Sequence, residues 1–240
     1  MKCSHLLVGA LTAFSLGGCL SLNTTRIDAE DNRVFLPSVR GSVNLTQSKE
    51  SPSQPQNGHA LEFEAFKARG SDSQSLAAGQ SPVILDRTIF SAPQELRNDF
   101  DFRFADISWR WRKFFGGRSL GLETFAGLGY SWLDLTVSSP GQRASRHFST
   151  LGPQGGVGLL WRLHPGTTLQ ARIAGFVSAT DGVNRATRAE FFLVKALGEN
   201  VTARAGYASW VAEGHALSGI SDFRLRFSGP ALELQFDFSR

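Results

Sequence analysis

Cysteine is scarce in this sequence, and its scarcity excludes several kinds of stabilising chemistry. Only two of the 240 residues are cysteines, Cys3 and Cys19, and both lie close to the start of the chain. Two cysteines near one terminus supply neither a disulfide framework nor the ligand set of a structural zinc site. We therefore expect a fold without cross-links or structural metal.

A strong excess of charge is also lacking. Lysine and arginine total 25 against 21 acidic residues, which leaves a net charge of +4 spread along the chain. This small excess gives no case for nucleic-acid binding. Lysine itself is rare, because only five of the bases are lysines and 25 − 5 = 20 are arginines.

Long apolar runs and cofactor motifs are missing as well. After residue 18 no stretch has 18 consecutive apolar residues, so we expect no transmembrane helix. The chain has no phosphate loop, no metal-ligand spacing and no nucleotide fingerprint, and we expect no cofactor. With 41% hydrophobic and 19% charged residues, it is too apolar for a disordered chain and too polar for a helical membrane bundle.

The first residues predict the cellular compartment. Residues 1–18 combine a basic Lys2, an apolar run and small residues at the end, which is the layout of a secretory signal peptide. The sequence Leu16-Gly17-Gly18-Cys19 resembles the lipobox of bacterial lipoproteins. That resemblance implies cleavage before Cys19, lipidation of its sulfur by the lipoprotein-processing machinery and, because Leu20 follows, delivery to the outer membrane. The alternative is an ordinary signal peptide that contains a cysteine.

Residues 19–58 form a polar lead, and the rest of the chain alternates between apolar and polar residues. Residues 48–59 have a linker composition, whereas 38–47 alternate and are either an extra strand or part of the tether. From residue 59 to 240, about eight segments have a period of two, as strands do. Their apolar positions fall in 61–65, 100–111, 120–132, 157–163, 169–173, 189–193, 201–207 and 223–238.

Two of these segments change phase part-way along. The apolar positions switch parity near Ala105-Asp106 and again at Gly229-Pro230. An extra residue in one strand would produce such a switch, so the pattern predicts a β-bulge at each point.

Short and long connections alternate for most of the domain, which resembles bacterial outer-membrane β-barrels of the small OmpA/OmpW-like class. The short turns are 113–119, 164–166 and 198–200, and the longer loops are 70–97, 138–149, 180–185 and 212–221. The resemblance implies an all-β, antiparallel up-and-down transmembrane barrel of eight strands, or ten if 38–47 and 83–91 are both strands. The final apolar alternation to Phe238 is similar to the signal read by the barrel-assembly machinery, although Ser239 and Arg240 follow the last aromatic residue.

An even number of strands would place both chain ends on one side of the membrane. The expected location is the bacterial outer membrane, with the lipidated amino terminus and the carboxy terminus on the periplasmic side and membrane lipids as neighbours. Aromatic residues would form two interfacial girdles. The periplasmic girdle would contain Trp109, Trp111, Phe114, Trp161, Phe236 and Phe238, and the outer girdle Phe100, Phe102, Tyr130, Trp132 and Tyr207.

The polar positions of the strands carry both signs of charge. In a membrane barrel they face the lumen, where arginine and carboxylate side chains pair and leave no charge-selective pore. The alternative is the solvated outer face of a soluble sheet. The predicted lumen network comprises Glu62, Glu64, Asp101, Arg103, Glu123, Arg162, Arg172, Arg188, Glu190, Arg204, Glu233 and Asp237, together with Arg110, Arg112, Arg224 and Arg226.

One short motif offers a catalytic alternative. His147-Phe148-Ser149 is similar to the histidine–x–serine spacing of lipid A deacylases, which are barrel enzymes, although Thr150 replaces their usual asparagine and the next acid along the chain is Asp181. His215 and Ser218 also fall in a predicted outer loop.

The favoured function is a non-catalytic, lipid-anchored outer-membrane barrel that acts structurally or binds surface partners through its outer loops. The alternatives are a soluble lipocalin-like lipoprotein that binds an apolar ligand, a lipid A-modifying enzyme and a narrow channel.

Overall fold

A computed structural model describes residues 24–46, 57–115, 119–214 and 220–238. The signal peptide and Cys19 lie outside the described residues, as do His215 and Ser218. Across the described ranges, no helix is long and apolar enough to cross a membrane. The described chain consists of strands and their connections, which confirms the all-β prediction.

Twelve strands follow one another along the described chain, and the long ones coincide with the segments of period two. They are β1 (Ile27–Arg33), β2 (Leu36–Asn44), β3 (Gly58–Leu76), β4 (Val83–Leu85), β5 (Thr88–Phe90), β6 (Gln94–Phe115), β7 (Leu120–Ser139), β8 (Gln142–His164), β9 (Thr167–Val177), β10 (Arg185–Ala196), β11 (Val201–Gly214) and β12 (Phe223–Phe238).

Ten of these strands form one sheet whose pairing closes on itself. The order is β1-β12-β11-β10-β9-β8-β7-β6-β3-β2, and β12 also pairs with β2. The closed ring therefore contains nine strands, namely β2, β3 and β6 to β12, with β1 continuing the line of β2 along β12. The preferred count of eight was wrong because the segment 38–47 lies within the ring as β2.

The ring closes through a parallel seam. Strand β2 lies parallel to β12, with Leu36 opposite Ala231 and Val43 opposite Phe238, and β1 lies parallel to the first half of β12. All other neighbouring strands of the ring are antiparallel. Because the first and last strands point the same way, the described chain starts at one end of the ring and finishes at the other. The lipidated Cys19, which the prediction placed on the same side as the carboxy terminus, lies outside the described residues.

The two ends of the ring differ in their connections. The turn end, where β12 finishes, has the connections 45–57, 116–119, 165–166 and 197–200, and the loop end has 77–93, 140–141, 178–184 and 215–222. The predicted loop 138–149 is instead a two-residue turn, because β7 and β8 continue to Ser139 and Gln142 and Gly141 supplies the left-handed φ of 101°. The segment 83–91 forms the separate hairpin β4–β5, whose Val83, Leu85 and Phe90 are buried at the loop end.

Neither predicted bulge is present. Strand β6 pairs without a shift on both sides, with Ala105 opposite Ala65 and Tyr130. Strand β12 likewise pairs regularly with β11 through Gly229 and Pro230. The even-numbered side chains of β6 therefore point inward along the whole strand, and at the phase switch the apolar side chains pass from the inner face to the outer face.

Candidate functional site: an ionic lumen below an aromatic core

Toward the loop end the interior of the ring is apolar. We call this part the aromatic section. Trp210 lies at its centre, with its ring centroid 4.4 Å from that of Phe66 and 5.4 Å from that of Phe104. The buried interior residues of this section are Phe66, Phe100, Phe102, Phe104, Leu133, Leu135, Val137, Phe148, Phe176, Trp210, Phe223, Leu225 and Phe227.

Toward the turn end the interior changes to charged and amide side chains. We call this part the ionic section. Its side chains are buried as deeply as the aromatic ones, which is unusual for charges unless they are paired. The section contains Arg40, Glu62, Glu64, Arg110, Glu123, Gln154, Gln170, Arg172, Arg188, Glu190, Arg204 and Glu233.

Arg40 joins the two strands beside it at the parallel seam. Its Nε lies 2.8 Å from Glu233 Oε1 on β12, and its Nη2 lies 2.7 Å from Glu64 Oε2 on β3. Its Nη1 lies 3.2 Å from Glu62 Oε2. The planar guanidinium group reaches three carboxylates at once, which the single ammonium of a lysine would do less well.

Glu123 anchors the opposite side of the lumen. Its Oε1 lies 3.0 Å from Arg172 Nε and accepts a hydrogen bond of 3.0 Å from Gln170 Nε2. Its Oε2 accepts from Arg112, with the Nε of that residue at 2.9 Å. Arg172 also lies 3.2 Å from Glu62, so the network crosses the lumen.

The remaining pairs complete the network around β9 to β12. Arg188 binds Glu64 with two parallel hydrogen bonds of 2.6 and 3.0 Å. Arg204 pairs with Glu233 and donates to Gln170 Oε1 at 2.7 Å. Because these buried arginines and carboxylates are paired with each other, part of the desolvation cost of the lumen is offset by their ion pairs.

Aromatic rings and glycines shape the space around the guanidinium groups. The Cζ atoms of Arg172 and Arg204 lie 4.2 Å from the ring centroid of Phe125 and 4.6 Å from that of Phe192. A Cβ atom at Gly158 would lie 3.1 Å from Arg172 Cγ, so glycine leaves room for that side chain. Cation–π contacts of this kind favour a fixed position for each cation.

Nine members of the predicted lumen network come together in the ionic section. They are Glu62, Glu64, Arg110, Glu123, Arg172, Arg188, Glu190, Arg204 and Glu233. Arg162 and Asp237 are partly buried near the turn end, where Arg162 lies 4.7 Å from the ring centroid of Phe114 and Asp237 accepts from Gln235 at 2.7 Å. Arg40 was not predicted to be a member of the network, because residues 38–47 could be interpreted either as a strand or as part of the tether.

Asp101 and Arg103 were wrongly assigned to the lumen. The missing bulge leaves both on the outer face of the aromatic section, where Asp101 Oδ1 lies 3.1 Å from Arg103 Nε. Partial burial raises the pKa of the Asp101 carboxyl, but hydrogen bonds from Arg103, Lys67 and Arg69 outweigh it and lower the pKa to about 2. Arg224 and Arg226 were likewise wrongly assigned to the lumen. They alternate along β12 with the buried Phe223, Leu225 and Phe227 and therefore lie on its outer face.

The outer face of the ionic section is apolar around the whole ring. All nine strands contribute exposed apolar side chains to this outer band. Examples are Val39, Phe63, Ile107, Trp109, Leu120, Leu128, Leu151, Val157, Leu159, Trp161, Ile173, Phe191, Leu193, Tyr207, Leu232, Leu234 and Phe236.

The predicted aromatic girdles are present only in part. At the loop-end edge of the outer band, Tyr130 and Trp132 pack edge to face on the outer wall at 4.2 Å. Phe100, Phe102 and Phe114 were wrongly placed in the girdles, because they are buried inside the ring.

The histidine of the catalytic motif lies on the outer wall, just beyond the outer band. His147 Nδ1 lies 2.8 Å from Asp134 Oδ1 on the neighbouring strand. Ser149 follows on the same face of β8, opposite Trp132, and no hydrogen bond joins its described side chain to His147.

A small cavity lies inside the ring. This cavity of about 10 Å³ lies where the two sections meet, between Glu64, Arg188, Glu190 and Trp210, which is room for about one water molecule. Within the described ranges, no group of three or more histidine, cysteine, aspartate and glutamate side chains could hold a metal ion.

Comparison of the chain with protein-family models, curated proteins and solved structures gives no match.

Proposed function

We propose that the closed ring is an outer-membrane β-barrel with a sealed lumen and a non-catalytic, structural or surface-binding role. One observation carries this proposal. At one level along the strands, the inner face changes from apolar to charged side chains, and the outer face changes from charged to apolar side chains. On β6, inward Phe102 and Phe104 give way to Ser108 and Arg110, while the outer face changes from Arg103 to apolar residues.

Lipid explains this exchange. An apolar face that surrounds a charged interior is the arrangement expected of strands in a bilayer. In water the continuous outer band would be far larger than the apolar patches that soluble monomers expose. The aromatic section has the reverse arrangement, so it would extend beyond the membrane as a water-exposed body with its own apolar core.

The interior argues against the lipocalin-like alternative. A carrier of apolar ligands needs an apolar cavity of several hundred Å³. Here the ionic section is filled by paired charges and the aromatic section by packed rings. The packed lumen also argues against the narrow channel.

We propose that the turn end faces the periplasm and the loop end faces outward, as in the barrels that the sequence resembles. The start of the described chain then lies on the outer side. Cys19 precedes Thr24 by 24 − 19 = 5 residues, a reach of at most about 18 Å. A lipid on Cys19 would then lie on the same side of the membrane as the loop end.

Mobility on denaturing gels tests the barrel. We expect mature protein extracted in mild detergent to migrate faster before boiling than after it, because a closed barrel resists the detergent. Identical mobility with and without boiling, together with release of a Cys19→Ser variant from membranes, would contradict the proposal and support a soluble lipoprotein.

Protease treatment of intact cells tests the orientation. A tag inserted at the Gly141 turn should be cleaved, whereas a tag at the carboxy terminus should be protected until the outer membrane is permeabilised. The reverse result would place the loop end in the periplasm.

A second candidate function is hydrolysis of a lipid ester at the outer wall. The hydrogen bond between Asp134 and His147 Nδ1 favours it, because it leaves Nε2 free to take a proton from Ser149. A change of side-chain torsion must first bring the two groups together. Release of acyl chains from lipid A that is lost in both Ser149→Ala and His147→Ala, but kept in Ser145→Ala, would establish the activity. Equal release by all three variants would exclude this site.

A further inference from the structure

Three cationic side chains crowd one carboxylate on the outer wall. Asp101 Oδ2 lies 3.0 Å from Lys67 Nζ and 2.7 Å from Arg69 Nε, and Asp101 Oδ1 lies 3.1 Å from Arg103 Nε. We call these four residues the Asp101 cluster. Asp134 is the next acid, 3.9 Å from Arg103, and it is engaged by His147. Even with Asp134 included, the positive charges exceed the negative ones.

The cluster has many more hydrogen-bond donors than its own acid can use. Two guanidinium groups and one ammonium offer about thirteen N–H donors, whereas one carboxylate has about four lone-pair positions. The side chains of Lys67, Arg69 and Arg103 are 38%, 69% and 48% exposed. Their unused donors are therefore available to a ligand that approaches along the wall.

The cluster lies directly beyond the outer band. Lys67 and Arg103 are opposite each other in the β3–β6 pairing, and Ala65 and Ala105 form the next outward pair toward the turn end. Trp132, at the edge of the outer band, is opposite Arg103 on β7. Tryptophan beside cations is the side-chain combination found at the level of lipid headgroups.

We propose that the Asp101 cluster binds the phosphate of a lipid headgroup in the leaflet at the loop end. The inference rests on the proposed embedding of the outer band in a membrane. Arg103 and Arg69 have the fork geometry for two phosphate oxygens, and Lys67 adds a point charge. The acyl chains of the same lipid would lie against the outer band.

Native mass spectrometry of the detergent-extracted full chain tests the proposal, with phosphatidic acid and phosphatidylcholine of the same acyl chains as probes. We expect wild-type protein to retain phosphatidic acid in preference. The Lys67→Gln/Arg103→Gln variant should bind it roughly tenfold to thirtyfold more weakly. Arg97→Gln is the matched control, because Arg97 is also an exposed cation of β6 in an ion pair but lies six residues farther from the outer band.

The charge-conserving variant Lys67→Arg/Arg103→Lys should retain the lipid, which separates headgroup binding from a general effect on folding. Heat-modifiable mobility of each variant reports the barrel independently. Equal retention of both lipids, unchanged binding by the Gln variant, or displacement of the lipid by an equal concentration of inorganic phosphate would each overturn the proposal. The last result would instead identify a site for free anions.

Discussion

At the scale of single residues, the buried carboxylates are the side chains whose replacement we expect to destabilise the fold most. Glu123 is fully buried and holds Arg112 and Arg172, two cations from different strands. Removing one partner from a buried ion pair costs more than the pair itself contributes, because the remaining charge stays desolvated. The lumen therefore tolerates substitution poorly, although its charges lie far from any solvent-exposed surface.

Glu123→Gln keeps the size of the side chain and removes its charge. We expect it to lower the free energy of unfolding by about 3–5 kcal/mol, since two guanidinium groups lose their shared carboxylate. Asp99→Asn is the control, because its ion pair with Arg97 is exposed and should contribute at most about 1 kcal/mol. Denaturant unfolding in lipid vesicles measures both, and equal losses would contradict the ionic-lumen description.

Asp101 should make stability depend on pH in the acid range. Its pKa falls from 3.8 to about 2 in the folded protein, so the folded state is favoured above pH 4 and this contribution is lost as the pH falls through about 2. We expect Asp101→Asn to lower stability by about 1 kcal/mol at neutral pH, because the surrounding ion pairs are partly screened. Thermal unfolding against pH should show wild type and variant converging between pH 4 and pH 2, and a constant difference would contradict the pairing.

At the scale of strands, alternation alone predicted most of the β-structure. It located the strands from residue 59 onward and gave the inward parity of Glu62, Glu64 and Arg172. It failed at Ala105-Asp106 because a period-two pattern reports which face is apolar, and two different changes alter that face. An extra residue reverses which face the following side chains point to. A change in the surroundings of a regular strand instead leaves each side chain on its face and changes which face is apolar.

The parallel seam could not have been read from the sequence. Pairing between β2 and β12 joins residues that are about 195 positions apart, as in the hydrogen bond from Ser38 to Glu233. No turn connects the two strands to set their register, and the composition of neither strand indicates its partner. The assignment of Arg40 to the lumen depends on this seam, and it was missed for the same reason.

Leu128 tests the outer band on a single strand. Its side chain is 51% exposed and lies near the middle of the band on β7. We expect Leu128→Arg to cost about 2–4 kcal/mol, because it would place a charge in the hydrocarbon core. Thr136→Arg lies on the same face of β7 within the aromatic section and should be nearly neutral. The fraction of heat-modifiable protein in outer membranes measures both, and normal assembly of the Leu128 variant would contradict the assignment of faces.

At the scale of the whole molecule, the ring is a filled cylinder. Paired charges occupy one section and packed aromatic rings the other, and the hairpin β4–β5 lies over the loop end. Nine strands leave an interior only wide enough for side chains.

Electrical recording in planar bilayers tests this description. We expect the reconstituted barrel to give no steady ionic current, because paired charged side chains fill the ionic section among the described residues. Reconstitution is verified in the same sample by heat-modifiable mobility. A reproducible current with defined selectivity would contradict the sealed lumen and favour the channel alternative.

The parallel seam also sets an order of events during assembly. Strand β2 is synthesised well before its partner β12, so the row of hydrogen bonds between them must wait until the intervening strands have been made. Closing a loop of this length carries the largest entropy cost of any strand pairing in the molecule. The sheet can grow from hairpin to hairpin, but until the two ends of the chain meet, the charged lining of the lumen lies on an open, unsealed surface.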